Sequence, residues 1–311
     1  QIRACTGSSV CALGITDADF NTIILADLAR MEGTAGQKAA LLTQLNTLAT
    51  AVNGVVVNVG ADARVAAANT QADTSFECPF AKNLVAASIK GIVDAYRDVN
   101  PIQYVVVVGN DNVIPFFRHP DNALLANEQN YVPPVRDNTA SQASLKFGYV
   151  LGQDAYGSSV SISYKVNVFP IPALPVGRLV ETPTEVIGMI NAFLATGDGV
   201  VDTPTSSLVT GYDFLEDAAN AVQTELVAGL GSTATATDTL IAPRDASPLD
   251  PQAWTANQLR AALLTNRHDL IYLAGHFSAS STLAADYTTR MLANELTASS
   301  VNLVNSIVYS A

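Results

Sequence analysis

The chain has 311 residues, 16 Lys and Arg against 28 Asp and Glu, and a formal net charge of −12 at pH 7. Nucleic acids and anionic bilayers attract clustered positive charge, so this balance argues against both as partners. Apolar residues make up 49% and charged ones 14%, which sets wholesale disorder aside and allows a sizeable core in one large or two modest domains. No apolar run reaches the ~18 residues of a membrane helix.

Three cysteines, Cys5, Cys11 and Cys78, leave at least one thiol unpaired within the chain. Cys5 and Cys11 close a small loop if the compartment is oxidising; otherwise all three are ordinary thiols. The chain opens at Gln1 with neither Met nor a signal-peptide pattern, which reads as processing or as a fragment.

Taken in order, the elements alternate strand and helix. Asn21 to Leu25 reads as a short buried strand. The spacing of Leu41, Leu42, Leu45, Leu48 and Ala49 predicts a helix over Gln37 to Ala51. Gly54 to Val59 is a β-branched strand. Pro79 to Val99 is a helix opened by proline, with Leu84, Ile89, Ile92 and Val93 inward. Tyr104 to Val108 is apolar without alternation, as in strands covered on both faces. Such a series predicts a mostly parallel sheet with right-handed crossovers.

Pro115 to Gly157, rich in Asn, Gln, Pro and Tyr, has no sustained period and reads as a long excursion of loop and short strand. Strands over Tyr164 to Val168 and Leu174 to Leu179 follow. A helix then runs over Thr182 to Thr196, with Thr182 as N-cap and Glu185 three residues on. The turn-rich Gly197 to Ser207 marks a boundary, so the expected organisation is an α/β subdomain over 1–198 and a second over 199–311. In the second, strands are expected at Leu208 to Gly211, Asp269 to Ala274 and Val304 to Tyr309. Helices are expected at Leu215 to Ala228, Ala253 to Leu264 and Thr288 to Leu296, with a loop after the first. No internal repeat of fixed period is visible in the sequence.

Ligands of open parallel sheets sit at the carboxyl ends of strands. Three such ends carry polar groups: Gly109-Asn110-Asp111-Asn112, Gly211-Tyr212-Asp213 and Ala274-Gly275-His276-Phe277-Ser278. His276 follows an apolar strand through a permissive glycine, where imidazole serves either as general acid or base or as a structural hydrogen-bonding group. His268, before the same strand, reads as a solvated loop residue, and His119 as an ordinary residue of the long loop. A Gly-x-Ser-x-Gly elbow is absent, no two histidines have ligand spacing, and Cys78 stands alone, so neither a serine hydrolase nor a metal site is expected. Gly229-Leu230-Gly231-Ser232 lies after a helix and reads as its C-cap, not a phosphate cradle.

The order of these segments resembles the gingipain family of caspase-like cysteine peptidases. Tyr104–Gly109 followed by Val113-Ile114-Pro115 is similar to that family's strand-loop segment. Val176-Gly177-Arg178-Leu179 with the helix after it, and Ala274-Gly275-His276, are similar to its connecting region and its histidine strand. The likeness spans roughly residues 20 to 311 and implies a three-layer α/β/α fold with mostly parallel sheets in two subdomains. It implies a Cys–His endopeptidase acting on protein or peptide substrates without a cofactor. In that reading His276 exchanges the proton, a backbone N–H at Gly275 or a neighbour helps hold the oxyanion, and Asp213 supports the histidine. Asp213, with Glu216 and Asp217 close by, reads equally as the N-cap of the following helix. The sequence departs from the family in having Phe277 where glycine is usual, and it ends at Ala311 before the expected nucleophile. The Cys is therefore expected in a C-terminal continuation of the same protein, the 311-residue chain is expected to be inactive alone, and the location is expected to be extracellular or the cell surface. The alternative is a pseudopeptidase serving as a binding or assembly module. The family's preference for basic residues is not carried over; Asp111 and Asp121, in the long loop after the third strand, are no more than candidate contributors to a specificity pocket.

Overall fold

Five buried apolar or hydroxylic side chains in a row place β1, Thr22–Ala26, at the centre of a sheet. The computed structural model describes residues 15, 18–123, 127–131, 135–164, 167–197, 200, 203–246, 250–278 and 280–310. Cys5 and Cys11, and with them the proposed pairing, lie outside the described residues. The chain divides into two compact units, residues 1–198 and 199–311.

In the first unit β1 leads through α1 (Ala35–Ala51) to β2 (Gly54–Asn58), then through α2 (Ala63–Thr74) and α3 (Pro79–Arg97) to β3 (Tyr104–Val108). The excursion contains β4 (Phe117–Pro120), α4 (Glu128–Tyr131), α5 (Ala140–Lys146) and β5 (Tyr149–Gly152). Next come the hairpin β6 (Ser158–Tyr164) and β7 (Asn167–Pro172), β8 (Val176–Leu179) and α6 (Pro183–Leu194). The main sheet has the order β2-β1-β3-β8, every pair parallel. The crossovers β1-to-β2 and β2-to-β3 run in opposite directions, so right-handed connections put α1 on one face and α2 and α3 on the other. The helices pack accordingly, α1 with α6 and α2 with α3. The fold is α/β with mostly parallel sheets.

Packing departs from the sequence reading at identifiable places. Leu42 is 44% exposed and Leu84 50%, so each lies outside the stripe its helix buries. Helix α2 has no strong apolar period; it buries Val65, Asn69 and Ala72 and is started by the Asp62 carboxylate on the Arg64 and Val65 N–H groups. Of the single strand expected over Tyr164 to Val168, Tyr164 ends β6, and Asn167 and Val168 begin β7, which pairs with it antiparallel; residues 165–166 lie outside the described residues. Helix α6 has the expected capping box: Glu185 N–H donates to Thr182 Oγ1 at 3.3 Å, and Thr182 N–H to Glu185 Oε2 at 2.9 Å. Thr182→Ala should lower the unfolding free energy of this unit by about 1 kcal/mol, measured by urea denaturation, whereas Thr182→Ser should leave it near the parent value.

The second unit has β9 (Ser206–Gly211), α7 (Glu216–Leu230), β10 (Ala236–Ile241), α8 (Ala256–Thr265), β11 (Leu270–Leu273), β12 (Ser281–Leu283), β13 (Arg290–Leu292), α9 (Ala293–Ala298) and β14 (Ile307–Ser310). Its sheet, β10-β9-β11-β14, is also parallel throughout and repeats the strand order of the first. Where a loop was expected after α7 there is β10, an edge strand whose alternating Thr and Asp gave no apolar signal. The helix expected over Thr288 to Leu296 is the short β13 followed by α9. Gly231, at φ +54°, caps α7 as the sequence suggested. His268 is not a solvated residue: it is 1% exposed, with Nε2 2.9 Å from Asp238 Oδ2. His119 lies in β4, its ring stacked on Phe117.

Candidate functional site

Strands β9 and β11 are neighbours, with Val209 opposite Tyr272, so the chain leaves both at the same sheet edge. Two glycines make the exits tight. A Cβ on Gly211 would lie 2.5 Å from that of Ala219, so glycine lets α7 close on the strand end. A Cβ on Gly275 would lie 2.5 Å from Tyr212 Cε1, and Tyr212 is fully buried and has nowhere to go.

Tyr212 organises this edge. Its ring meets those of Phe214, Trp254, His276 and Tyr287 edge-on at centroid separations of 5.1–5.7 Å. Its hydroxyl donates to Leu283 O, and Trp254 Nε1 donates to Gly211 O at 3.0 Å. The His276 side is exposed, with its imidazole 5.6 Å from the Phe214 ring and 6.2 Å from that of Tyr287. The loop that carries it folds back on β12: Leu283 N–H donates to His276 O at 3.1 Å, and Phe277 bridges Thr282. Phe277 thus belongs to a short antiparallel return that holds the histidine's backbone.

Asp213 opens a 3₁₀ turn ahead of α7, whose N-cap is Leu215 and makes no side-chain cap bond. The carboxylate instead accepts from Tyr287 Oη at 2.7 Å. Burial, reinforced by the Asp213 carboxylate, pushes the Tyr287 phenol up to about 12, so it stays a donor at neutral pH. Tyr287 is held at φ +54° in a turn fixed by Asp286, whose carboxylate accepts from the Thr288 and Thr289 N–H groups and the Thr289 hydroxyl. Glu216 and Asp217 both pair with Arg244. The structure therefore brings Asp213, Gly275 and His276 to one edge, joined by Tyr212 and Tyr287. Sequence reasoning included Tyr212 in a polar strand end without giving it a role, and passed over Tyr287, for which the Asp286-x-Thr288-Thr289 turn pattern was the available signal.

Strand β14 lies on the other side of β11, with Leu273 opposite Ser310. Its C-terminal end thus reaches the edge from which Gly275 and His276 emerge. No protein-family model, curated protein or solved structure matches the chain.

Elsewhere, Asp111 does not face an open pocket; it is buried against Arg118. Cys78, an exposed free thiol, sits at the N-cap of α3 in the first unit. Among the described residues there is no group of three or more His, Cys, Asp or Glu able to hold a metal, and no helix long and apolar enough to cross a membrane.

Proposed function

We propose that the second unit carries the histidine side of a Cys–His peptidase site in a caspase-like, three-layer α/β/α fold resembling that of the gingipains. The observation behind this reading is the adjacency of three parallel strand ends. Strand β9 presents Asp213, β11 presents Gly275 and His276, and β14 ends beside them. A thiol supplied just beyond β14 would share the edge with an exposed imidazole and with the backbone N–H groups of the Gly275 turn. That thiol, as thiolate, attacks the scissile carbonyl; His276 holds the proton and returns it to the leaving amine, while backbone N–H groups stabilise the oxyanion. The substrate is a protein or peptide, and no cofactor takes part. Asp213 acts indirectly, by fixing Tyr287 against the imidazole.

A non-catalytic binding or assembly module is the second reading. It is favoured by the bond from Tyr287, which commits Asp213 elsewhere than to the His276 ring.

Intact mass and peptide sequencing of the natural protein beyond Ala311 separate the two. A Cys close after Ala311 that reacts stoichiometrically with a peptidyl chloromethyl ketone supports the peptidase, and His276→Ala should then slow peptide hydrolysis by about 10²–10⁴-fold. A protein that continues without a Cys, or whose Cys reacts no faster than a free thiol, leaves the module. Residues 1–311 alone should show no thiol-dependent peptide cleavage.

A further inference from the structure

One strongly exposed ring stands beside the candidate proton-transfer group. Phe214 is 59% exposed, whereas Tyr212 is fully buried and Tyr287 half-buried. The Phe214 centroid lies 5.6 Å from that of the His276 imidazole, with the two planes inclined by 41°. Tyr212 meets the same ring edge-on at 5.6 Å. The backbone also fixes it: Phe214 is the middle residue of the 3₁₀ turn Asp213–Leu215, where Leu215 N–H donates to Tyr212 O at 3.0 Å. Single exposed apolar side chains are ordinary on protein surfaces, so position is what sets this one apart.

The chemistry of the site says which part of a substrate meets the ring. In peptide hydrolysis the histidine gives its proton to the departing amine. The residue carrying that amine, immediately C-terminal to the scissile bond, therefore lies against the imidazole and against whatever flanks it. Here the exposed flank is Phe214.

The carboxylates of this edge are each engaged. Asp213 accepts from Tyr287, and Asp286 from Thr288 and Thr289. Glu216 and Asp217 share Arg244. Arg290 is exposed, acts electrostatically on the Tyr212 phenol and adds positive charge. A lysine or arginine of the substrate finds a ring in contact and its counter-charges already taken, while an apolar side chain removes ring surface from water. We propose that Phe214 selects an apolar, leucine- or phenylalanine-like residue on the amine side of the scissile bond. This inference rests on the peptidase reading and assigns a substrate class to its leaving-group side.

Digestion of a random peptide library by the natural protein, with the new N-terminal residues identified by mass spectrometry, tests it. Leu, Ile and Phe should be enriched over Gly and Lys by about tenfold or more. Phe214→Ala should lower that enrichment by about tenfold, and Phe214→Glu should turn the preference toward Lys and Arg. In the 311-residue chain, leucinamide, a mimic of the departing amine, should shift the His276 ring NMR signals at lower concentration than glycinamide or lysinamide. That advantage should vanish in Phe214→Ala. Cleavage indifferent to the new N-terminal residue, or a parent preference for Lys, overturns the role of Phe214 and leaves the peptidase reading standing. So does a preference that survives in both variants, even where Phe214→Ala slows cleavage, because the ring then only packs against His276. A natural protein that cleaves no peptide overturns the peptidase reading, and the role of Phe214 falls with it.

Discussion

Replacing Asp111 with alanine should destabilise the first unit by about 3–5 kcal/mol, because it strands a buried guanidinium. The Arg118 side chain has no exposed surface, and that of Asp111 is 8% exposed. Arg118 Nη1 and Nη2 each donate to one Asp111 oxygen at 2.6 Å. Ser141 Oγ and Phe116 N–H add donors to the carboxylate at 2.6 and 2.8 Å, and Arg118 Nε is satisfied by Ser144 Oγ at 3.2 Å. The pair thus ties the segment after β3 to β4 and α5. Removing both charges is a different experiment. Asp111→Ala/Arg118→Met removes the guanidinium that the single change strands, and chemical denaturation should show it more stable than Asp111→Ala alone. A single variant within about 1 kcal/mol of the parent would mean that water reaches Arg118 and that the segment is looser than it looks.

The same pair sets an acid limit. Burial by itself would raise the Asp111 carboxyl, but the Arg118 charge and the hydrogen bonds from Arg118, Ser141 and Phe116 outweigh it and hold the group below the usual carboxylate range. A depressed folded-state pKa contributes stability that is fully present above the unfolded value, about 3.9, and is lost as pH falls through the lower folded value. The acid-unfolding slope of the parent chain should therefore be steeper below pH ~4 than that of the double variant.

Tyr212→Ala should be the most damaging single change in the second unit, at about 3–5 kcal/mol, the range for deleting a buried aromatic ring. The ring is fully buried and touches Phe214, Trp254, His276 and Tyr287, so its removal opens a cavity under the histidine loop. Tyr212→Phe keeps the ring and loses the bond to Leu283 O, and should be milder, about 1 kcal/mol. The two variants separate packing from hydrogen bonding. If the His276 NMR signals broaden or move in the alanine variant and stay in place in the phenylalanine one, ring packing is what positions the imidazole. Equal displacement in both would transfer that role to the hydroxyl.

Strands such as Tyr104–Val108 were readable because an uninterrupted β-branched run is both a local preference and a burial pattern. Helix α6 announced its start through Thr182 and Glu185, whose bonds span only one turn. Elements whose residues give no apolar period escaped notice: α2, rich in alanine, and β10, an edge strand of alternating polar residues. The strand ends bearing Asp213 and His276 could also be located, since a ligand-bearing edge follows from strand direction alone.

What the sequence determined by itself was the α/β class and the polar strand ends. Both follow from interactions within a few residues. Tertiary structure alone decided the partners: Tyr287 on Asp213, Arg118 on Asp111, Asp238 on His268. These contacts join residues 74, 7 and 30 positions apart, and the two long-range ones depend on how strands and loops are stacked. It also decided that both units share one strand order, a likeness with no counterpart in the residues, because parallel sheets constrain connection handedness and burial far more than side-chain identity.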